Sequence, residues 1–302
     1  MTDVRQPRAD GGISGVRLPA SAVRWKVGAV TVTKVVELDT VGGTRFVLPQ
    51  ASREEIRAID WLFPHFADEN GRLKMTIHSL VVETPTRRIL VDTGLGNDKQ
   101  NRAVPTWNFR QGSFLEDLAA AGYPPETIDT VLCTHLHVDH VGWNTRLVDG
   151  RWVPTFPNAR YVMNRSELEY WRNRRDGPAH VAVFEDSILP VVETGMVDLV
   201  DGDHRLCEEM RLIPTPGHSP AHMSVGLRSR GETALLTGDV LHHPCQMAHL
   251  DWASSVDFDA EQSTRTRREL FSRLAETPTL IIGGHFAAGR VLRDRDAFRL
   301  EV

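Results

Sequence analysis

Four side chains of metal-ligating type crowd into six positions of Thr134-His135-Leu136-His137-Val138-Asp139-His140, directly after the apolar run 128–133. In an extended segment residues i and i+2 point the same way, so His135 and His137 can face one cation from a strand end. Asp139 and His140 fall where the chain turns and can point to a second. Several imidazoles with one carboxylate suit zinc, with iron or manganese as alternatives. The plain alternative is a solvated or internally satisfied histidine cluster. That reading explains a lone histidine well and four ligand types in six positions poorly.

The same arrangement recurs downstream. The run 211–213 leads into Pro214-Thr215-Pro216-Gly217-His218. Leu235-Leu236-Thr237-Gly238-Asp239 sets a carboxylate just past an apolar stretch, and Ile281-Ile282-Gly283-Gly284-His285 does the same with an imidazole. Each time an apolar strand ends, small residues turn, and a ligand-type residue follows. Four strand ends would deliver seven candidate ligands to one rim: His135, His137, Asp139, His140, His218, Asp239 and His285.

The elements needed to hold such a rim are also readable. Residues 23–38 alternate as strands. Residues 76–83 and 87–91 form two strands joined by a turn at Pro85, the second ending in Asp92-Thr93-Gly94. Ser52 with Glu55 caps a short helix over 52–60, and Ser113 with Glu116 opens one that stops at Gly122. A strand is expected at 160–163, followed by a helix opened by Ser166 and Glu169. Helix is expected from 180 to 193, up to Pro190. Strands follow near 197–200, 210–214, 222–228 and 233–237. A charged helix at 259–275 carries Leu270, Phe271 and Leu274 on its apolar side, and a last strand spans 279–282. Strands in runs with helices between them predict one α/β domain of layered sheets over 23–302. Residues 1–22 read as a polar, flexible N-terminal arm.

Composition narrows the function. The 302 residues carry 40 acids and 35 bases, a net charge of −5, which argues against a nucleic-acid partner. No apolar run approaches ~18 residues, so no membrane span is expected. The first 20 residues lack the apolar stretch of a secretory signal. Cys133, Cys207 and Cys245 are odd in number and never paired as CxxC, which predicts reduced thiols, two of them buried, in a cytoplasmic protein.

The motif HxHxDH followed by separated His, Asp and His resembles the metallo-β-lactamase fold superfamily, over about residues 24–300. The resemblance implies a four-layer αββα sandwich with a binuclear site at one edge of the two sheets. It assigns His135, His137 and His218 to one metal, Asp139, His140 and His285 to the other, and Asp239 to both. The cofactors would be two divalent ions, zinc first, with iron, manganese or cobalt as alternatives. Asp239 stands where the commonest subclass of true β-lactamases carries a cysteine, which sets this chain apart from them. Asp92 resembles the family's aspartate that braces the metal loop, and its alternative is a simple turn former. His222 is expected to make a structural hydrogen bond. Three residues after Asp239, acyl-homoserine lactonases of the family usually carry a tyrosine. His242 in that place resembles the branch of methyl-parathion-type hydrolases and their esterase or lactonase relatives. His242 would contact substrate or a developing oxyanion, or else line the pocket; His243 reads as structural.

A water between two metals loses its proton near neutral pH and becomes the nucleophile, with Asp139 orienting it or moving its proton. The chain is therefore expected to be a binuclear metal-dependent hydrolase of a small ester or lactone, with promiscuous phosphotriesterase activity. Trp61, Phe63, Phe66, Trp107, Trp143, Met247, Trp252 and Phe286 either wall a pocket for an apolar acyl or aryl substrate or simply pack. The 52–66 segment would suit a lid or, with the N-terminal arm, a homodimer contact. A glyoxalase-like thioester hydrolase ranks lower because no basic patch for glutathione carboxylates is evident. A nuclease is disfavoured by the acidic balance. A mononuclear-iron, sulfur dioxygenase-like oxidoreductase is disfavoured by the full second ligand set.

Overall fold

The structure is a computed structural model that describes residues 22–302. The expected arm lies outside the described residues except for Ala22, which already belongs to the first strand. In chain order the strands are β1 (Ala22–Val27), β2 (Val30–Val41), β3 (Lys74–Glu83), β4 (Arg88–Val91) and β5 (Thr130–Leu132), then β6 (Thr145–Val148), β7 (Arg151–Pro154), β8 (Arg160–Asn164), β9 (Val197–Val200) and β10 (Met210–Pro214). Then come β11 (Met223–Ser229), β12 (Glu232–Leu236), β13 (Leu280–Ile282), β14 (Gly289–Asp294) and β15 (Ala297–Glu301). The helices are α1 (Arg53–Arg57), α2 (Phe114–Ala120), α3 (Arg165–Asn173), α4 (Pro178–Val183), α5 (Leu189–Glu193), α6 (Cys245–Ala248) and α7 (Ala260–Leu274).

Strands β1 to β5, β8 and β9 form one sheet in that order, β10 to β15 form a second, and β6 pairs with β7 as a separate hairpin. The period-2 alternation of the strands explains the layers. Val82, Ile89, Val91 and Leu132 of the first sheet meet Ala234, Leu236, Met223 and Ile282 of the second in one apolar core. The alternate residues Val81, Leu90 and Val131 face outward onto Phe114, Leu118, Leu168 and Trp171 of α2 and α3. On the far side Leu235, Ile281 and Val291 face Ile56, Met247, Leu270 and Phe271 of α1, α6 and α7. Three cores between four layers make the expected αββα sandwich.

The sheets also bring the ligand motifs together. Parallel β4 and β5 pair Val91 with Leu132, so Asp92 follows beside Cys133 and donates its N–H to the Leu132 carbonyl at 2.8 Å. Parallel β12 and β13 pair Leu236 with Ile282, so Asp239 and His285 leave the second sheet at the same edge. Gly142 packs backbone to backbone here; a Cβ on it would lie 1.9 Å from the Leu95 carbonyl carbon, so no larger residue fits.

Several local expectations are corrected. Ser52 caps α1 as expected, accepting from the Glu55 N–H at 3.2 Å. Ser113 does not cap α2; its backbone is not extended and its hydroxyl donates to Asp117 instead. Asn164, not Ser166, caps α3, accepting from the N–H groups of Ser166 and Glu167. The helix expected over 180–193 is α4, a wide turn over Phe184–Ile188 and α5, with Pro190 inside the first turn of α5, where its missing N–H costs nothing. The hairpin β6–β7 and the strands β14 and β15 had no sequence expectation at all.

The wide turn encloses an unusual cation. Lys99 is fully buried, donating to the Thr145 hydroxyl at 2.6 Å and the Asp186 carbonyl at 3.0 Å beneath the Trp152 ring. Burial pushes its ammonium down to about 7, against the pull of the nearby Asp186 carboxylate. Between that value and 10.5 the unfolded chain holds a proton that the native chain has released, so this group adds stability as pH rises across the window. Lys99→Met should therefore flatten the rise of the urea midpoint between about pH 7 and about pH 10. An unchanged slope would show that Lys99 titrates normally.

Candidate metal centre

One carboxylate oxygen lies at the middle of the site. Asp239 Oδ2 is 3.1 Å from His285 Nε2, 3.3 Å from His140 Nε2, 3.4 Å from His242 Nε2, 3.5 Å from His218 Nε2 and 3.9 Å from His135 Nε2. The remaining predicted ligands complete the cluster. His137 Nδ1 is 2.8 Å from His218 Nε2, and Asp139 lies 3.8 Å from His140 Nε2 and 3.7 Å from His285 Nε2. All seven predicted ligands thus converge, in three groups that could each hold an ion: His135 with His137 and His218, Asp139 with His140 and His285, and His135 with His140 and Asp239. A fourth group joins His218, His242 and Asp257.

The donor geometry calls for cations. His218 gives its Nδ1–H to Asp257 Oδ1 at 2.9 Å, and His135 gives its Nδ1–H to the Thr134 hydroxyl at 3.0 Å. Each ring's Nε2 is then a bare lone pair, and the two lone pairs face one another at 3.2 Å. Two lone pairs so placed repel unless a cation lies between them. A tetrahedral zinc with bonds of ~2.0–2.1 Å would hold its nitrogens ~3.3 Å apart, close to what is seen. The buried atoms His140 Nε2 and Asp239 Oδ1 likewise have no hydrogen-bond partner, as expected of atoms shaped for an ion. The residues present fit divalent metals.

Burial and charge set the protonation. Burial, reinforced by neighbouring imidazoles, holds His135 and His218 well below the usual histidine range and His137 at about 4. Burial takes His242 to about 3 against the attraction of Asp239. His140 goes the other way: burial opposes its charge, but the carboxylates of Asp239, Asp92 and Asp139 together outweigh it. Asp239 is held far below the carboxylate range because the His285, His140 and His242 imidazoles overcome its burial. His135, His137, His218 and His242 are thus held neutral beside an ionised Asp239, as metal binding requires, whereas the carboxylates draw His140 and His285 toward protons that a bound metal would displace.

The ring nitrogens facing away from the centre are tied to oxygens from several elements. Asp92, at φ 57°, accepts from Thr134 N and Thr134 Oγ1 at 2.8 Å and from His140 Nδ1 at 2.9 Å, so the expected brace is present. His285 Nδ1 donates to the Thr76 carbonyl at 2.9 Å. His222 bonds the Thr215 hydroxyl and accepts the Asp239 N–H, and His243 bonds the Phe66 carbonyl; both are structural, as read from the sequence. His242 is buried against the cluster, stacked on His285 with centroids 5.8 Å apart.

The aromatic loops largely take the packing side of their alternative: Phe66, Met247 and Phe286 are core residues under the second sheet, and Trp143 stacks on Phe114. The 52–66 segment is anchored through buried Ile56, Leu62 and Phe66 and does not form a free lid. Sequence reasoning missed four charged groups. Glu37, at a register shift in β2, accepts from Leu95 N, Gly96 N and Trp143 Nε1 and so fixes the loop after Asp92. Asp257 orients His218, and fully buried Arg267 reaches Asp257 at 3.7 Å and the carbonyls of Val240, Leu250 and Trp252. Glu167 bridges two ligand loops. The mouth of the site is marked by half-buried His137, Val138 and Asp139. Its rim carries Phe258, 56% exposed, whose N–H bonds the His218 carbonyl and whose ring meets Tyr170 at 5.4 Å.

Residues 74–285 match the sequence pattern of the Metallo-beta-lactamase superfamily. The chain belongs to that superfamily. It is a metal-dependent hydrolase related to lactonases. An N-acyl homoserine lactonase of Bacillus cereus is 25% identical over 229 residues, 70% of this chain and 82% of that protein. The lactonase AiiA of Bacillus thuringiensis subsp. kurstaki is 26% identical over 225 residues, again 70% and 82%. Among solved structures, the hydrolase AbOPH superposes with a TM-score of 0.77 at 23% identity, over 95% of this chain and 99% of its own. AidC, a dizinc quorum-quenching lactonase, does so with 0.75 at 21%, over 93% and 96%. These two likenesses speak to the fold.

The tie from Asp257 to His218 can be tested alone. Asp257→Asn puts an amide N–H where Oδ2 now accepts the Ser254 N–H beside Arg267, or where Oδ1 receives His218. Zinc affinity measured by chelator competition should fall ~10–100-fold. Unchanged affinity would remove Asp257 from the site.

Proposed function

We propose that this superfamily member opens the ester bond of small lactones, with N-acyl homoserine lactones as the leading substrate class. The observation that carries the reading is Asp239 Oδ2 within 3.1–3.9 Å of five imidazole nitrogens, between two separate ligand groups. In this reading His135, His137 and His218 hold one divalent ion, Asp139, His140 and His285 the other, and Asp239 both; zinc is the first choice. Two such ions would supply Lewis acidity and make water nucleophilic at neutral pH.

The chain's own residues supply the rest. Asp139 is the ligand carboxylate nearest the mouth, so it can take a proton from the attacking water and return it to the ring oxygen as that oxygen leaves. Water thus adds across the acyl C–O bond, giving a hydroxy acid. His242 offers an imidazole that can hydrogen-bond the oxygen gaining charge. Tyr170 and exposed Phe258 supply an apolar rim beside His218, suited to an acyl tail. The lactonase relatives support the substrate class. His242, in place of the tyrosine usual in such lactonases, supports a second reading, a side activity on phosphotriesters.

Elemental analysis should give about two metals per chain, as a two-ion site requires, and one iron without zinc would favour the redox reading. Of lactones, aryl esters, thioesters, phosphotriesters and β-lactams ranked by kcat/KM, acyl homoserine lactones should lead. A thioester in first place would overturn the substrate assignment. Asp239→Ala should abolish turnover, and His242→Ala should lower kcat ~10²–10³-fold if it donates to the oxyanion.

A further inference from the structure

The two loops that carry the three-histidine group are joined by one buried side chain. Glu167 sits in the first turn of α3 and is 1% exposed. A glutamate there often bonds back to its own helix N-terminus. Asn164 already accepts those N–H groups, at 2.8 and 3.4 Å, and Glu167 turns into the site wall. Its Oε1 accepts from Leu136 N at 3.4 Å and Trp171 Nε1 at 3.0 Å. Its Oε2 accepts from Ser219 Oγ at 3.0 Å and Ala221 N at 3.1 Å. Leu136 lies between His135 and His137, Ser219 directly follows His218, and the Trp171 ring packs near-perpendicular to His137 with centroids 5.5 Å apart.

We propose that Glu167 is a positioning residue for the three-histidine metal, tying the 135–137 stretch to the 218–221 stretch so that His135, His137 and His218 converge. The Asp139, His140 and His285 group is held by other atoms: Asp92 behind His140 and the Thr76 carbonyl behind His285. Only a carboxylate meets the demand on Glu167. Both oxygens face donors, and each faces one backbone N–H that cannot turn away. A glutamine must set its NH₂ against either Leu136 N–H or Ala221 N–H. The inference rests on the ligand assignment proposed above, and the test separates the two.

Zinc affinity is measured by chelator competition on the full chain in two backgrounds. His285→Ala leaves the three-histidine site, and His218→Ala leaves the other. Glu167→Gln should weaken zinc about tenfold or more in the first and by less than about threefold in the second, the range expected when a ligand's support is lost. Equal weakening in both, or none in either, overturns the positioning role. If either histidine variant still binds two zinc ions, the ligand assignment fails instead. Should Glu167→Gln not fold, judged by melting of the metal-free chain, Ser219→Ala removes one of the four donors. It should lower affinity in the His285→Ala background only; loss in both, or in neither, overturns the proposal equally.

Discussion

The site depends on the burial of one negative charge. Asp239 is 3% exposed and ionised, and the groups that hold its proton off are the imidazoles of His285, His140 and His242. An unpaired carboxylate so placed would cost several kcal/mol. Its neighbours are imidazoles, most of them held neutral by their own burial. Charge balance then has to come from protons on His140 and His285 or from metal ions. The same carboxylate that pulls those two rings toward protonation is the one that would draw divalent metals into the cluster.

Rigid strand ends make that burial stable. Imidazole lone pairs facing each other at 3.2 Å are tolerable only if the backbone cannot relax apart. The parallel pairs β4–β5 and β12–β13 fix the edges from which the loops leave. The Asp92–Thr134–His135 and Arg267–Asp257–His218 chains fix the rings from behind. Glu37 and Glu167 fix the loops themselves. Each of these carboxylates is buried and satisfied by donors from segments distant in sequence, so the metal geometry is set by the tertiary fold and not by the motif.

That division decides what was legible in the sequence. The ligands were legible because each follows an apolar run, a pattern local in sequence. Asp92 was legible for the same reason, at the end of β4. Glu37, Asp257 and Glu167 were not, because their distant partners lie 31 to 106 positions away, with only Trp171, Ser254 and Arg267 nearby, and their neighbours in sequence look like ordinary polar surface. Caps failed where two polar residues competed. Asn164 took the role read for Ser166, and Asp117 drew the Ser113 hydroxyl away from the backbone. The β6–β7 hairpin escaped because it is short and half polar, with exposed Leu147 and Val148 where a core pattern would be sought. The aromatic loops stayed ambiguous in sequence because packing and pocket walls share one composition.

The central claim is that Asp239 stands between two metal ions rather than beside one. Anomalous diffraction at the zinc edge from crystals of the zinc-loaded chain tests it most directly. Two peaks ~3.5–4 Å apart are expected, as in two-metal hydrolytic sites, with Asp239 between them, one against His135, His137 and His218 and the other against Asp139, His140 and His285. A single peak, or one centred on His218, His242 and Asp257, would contradict the account.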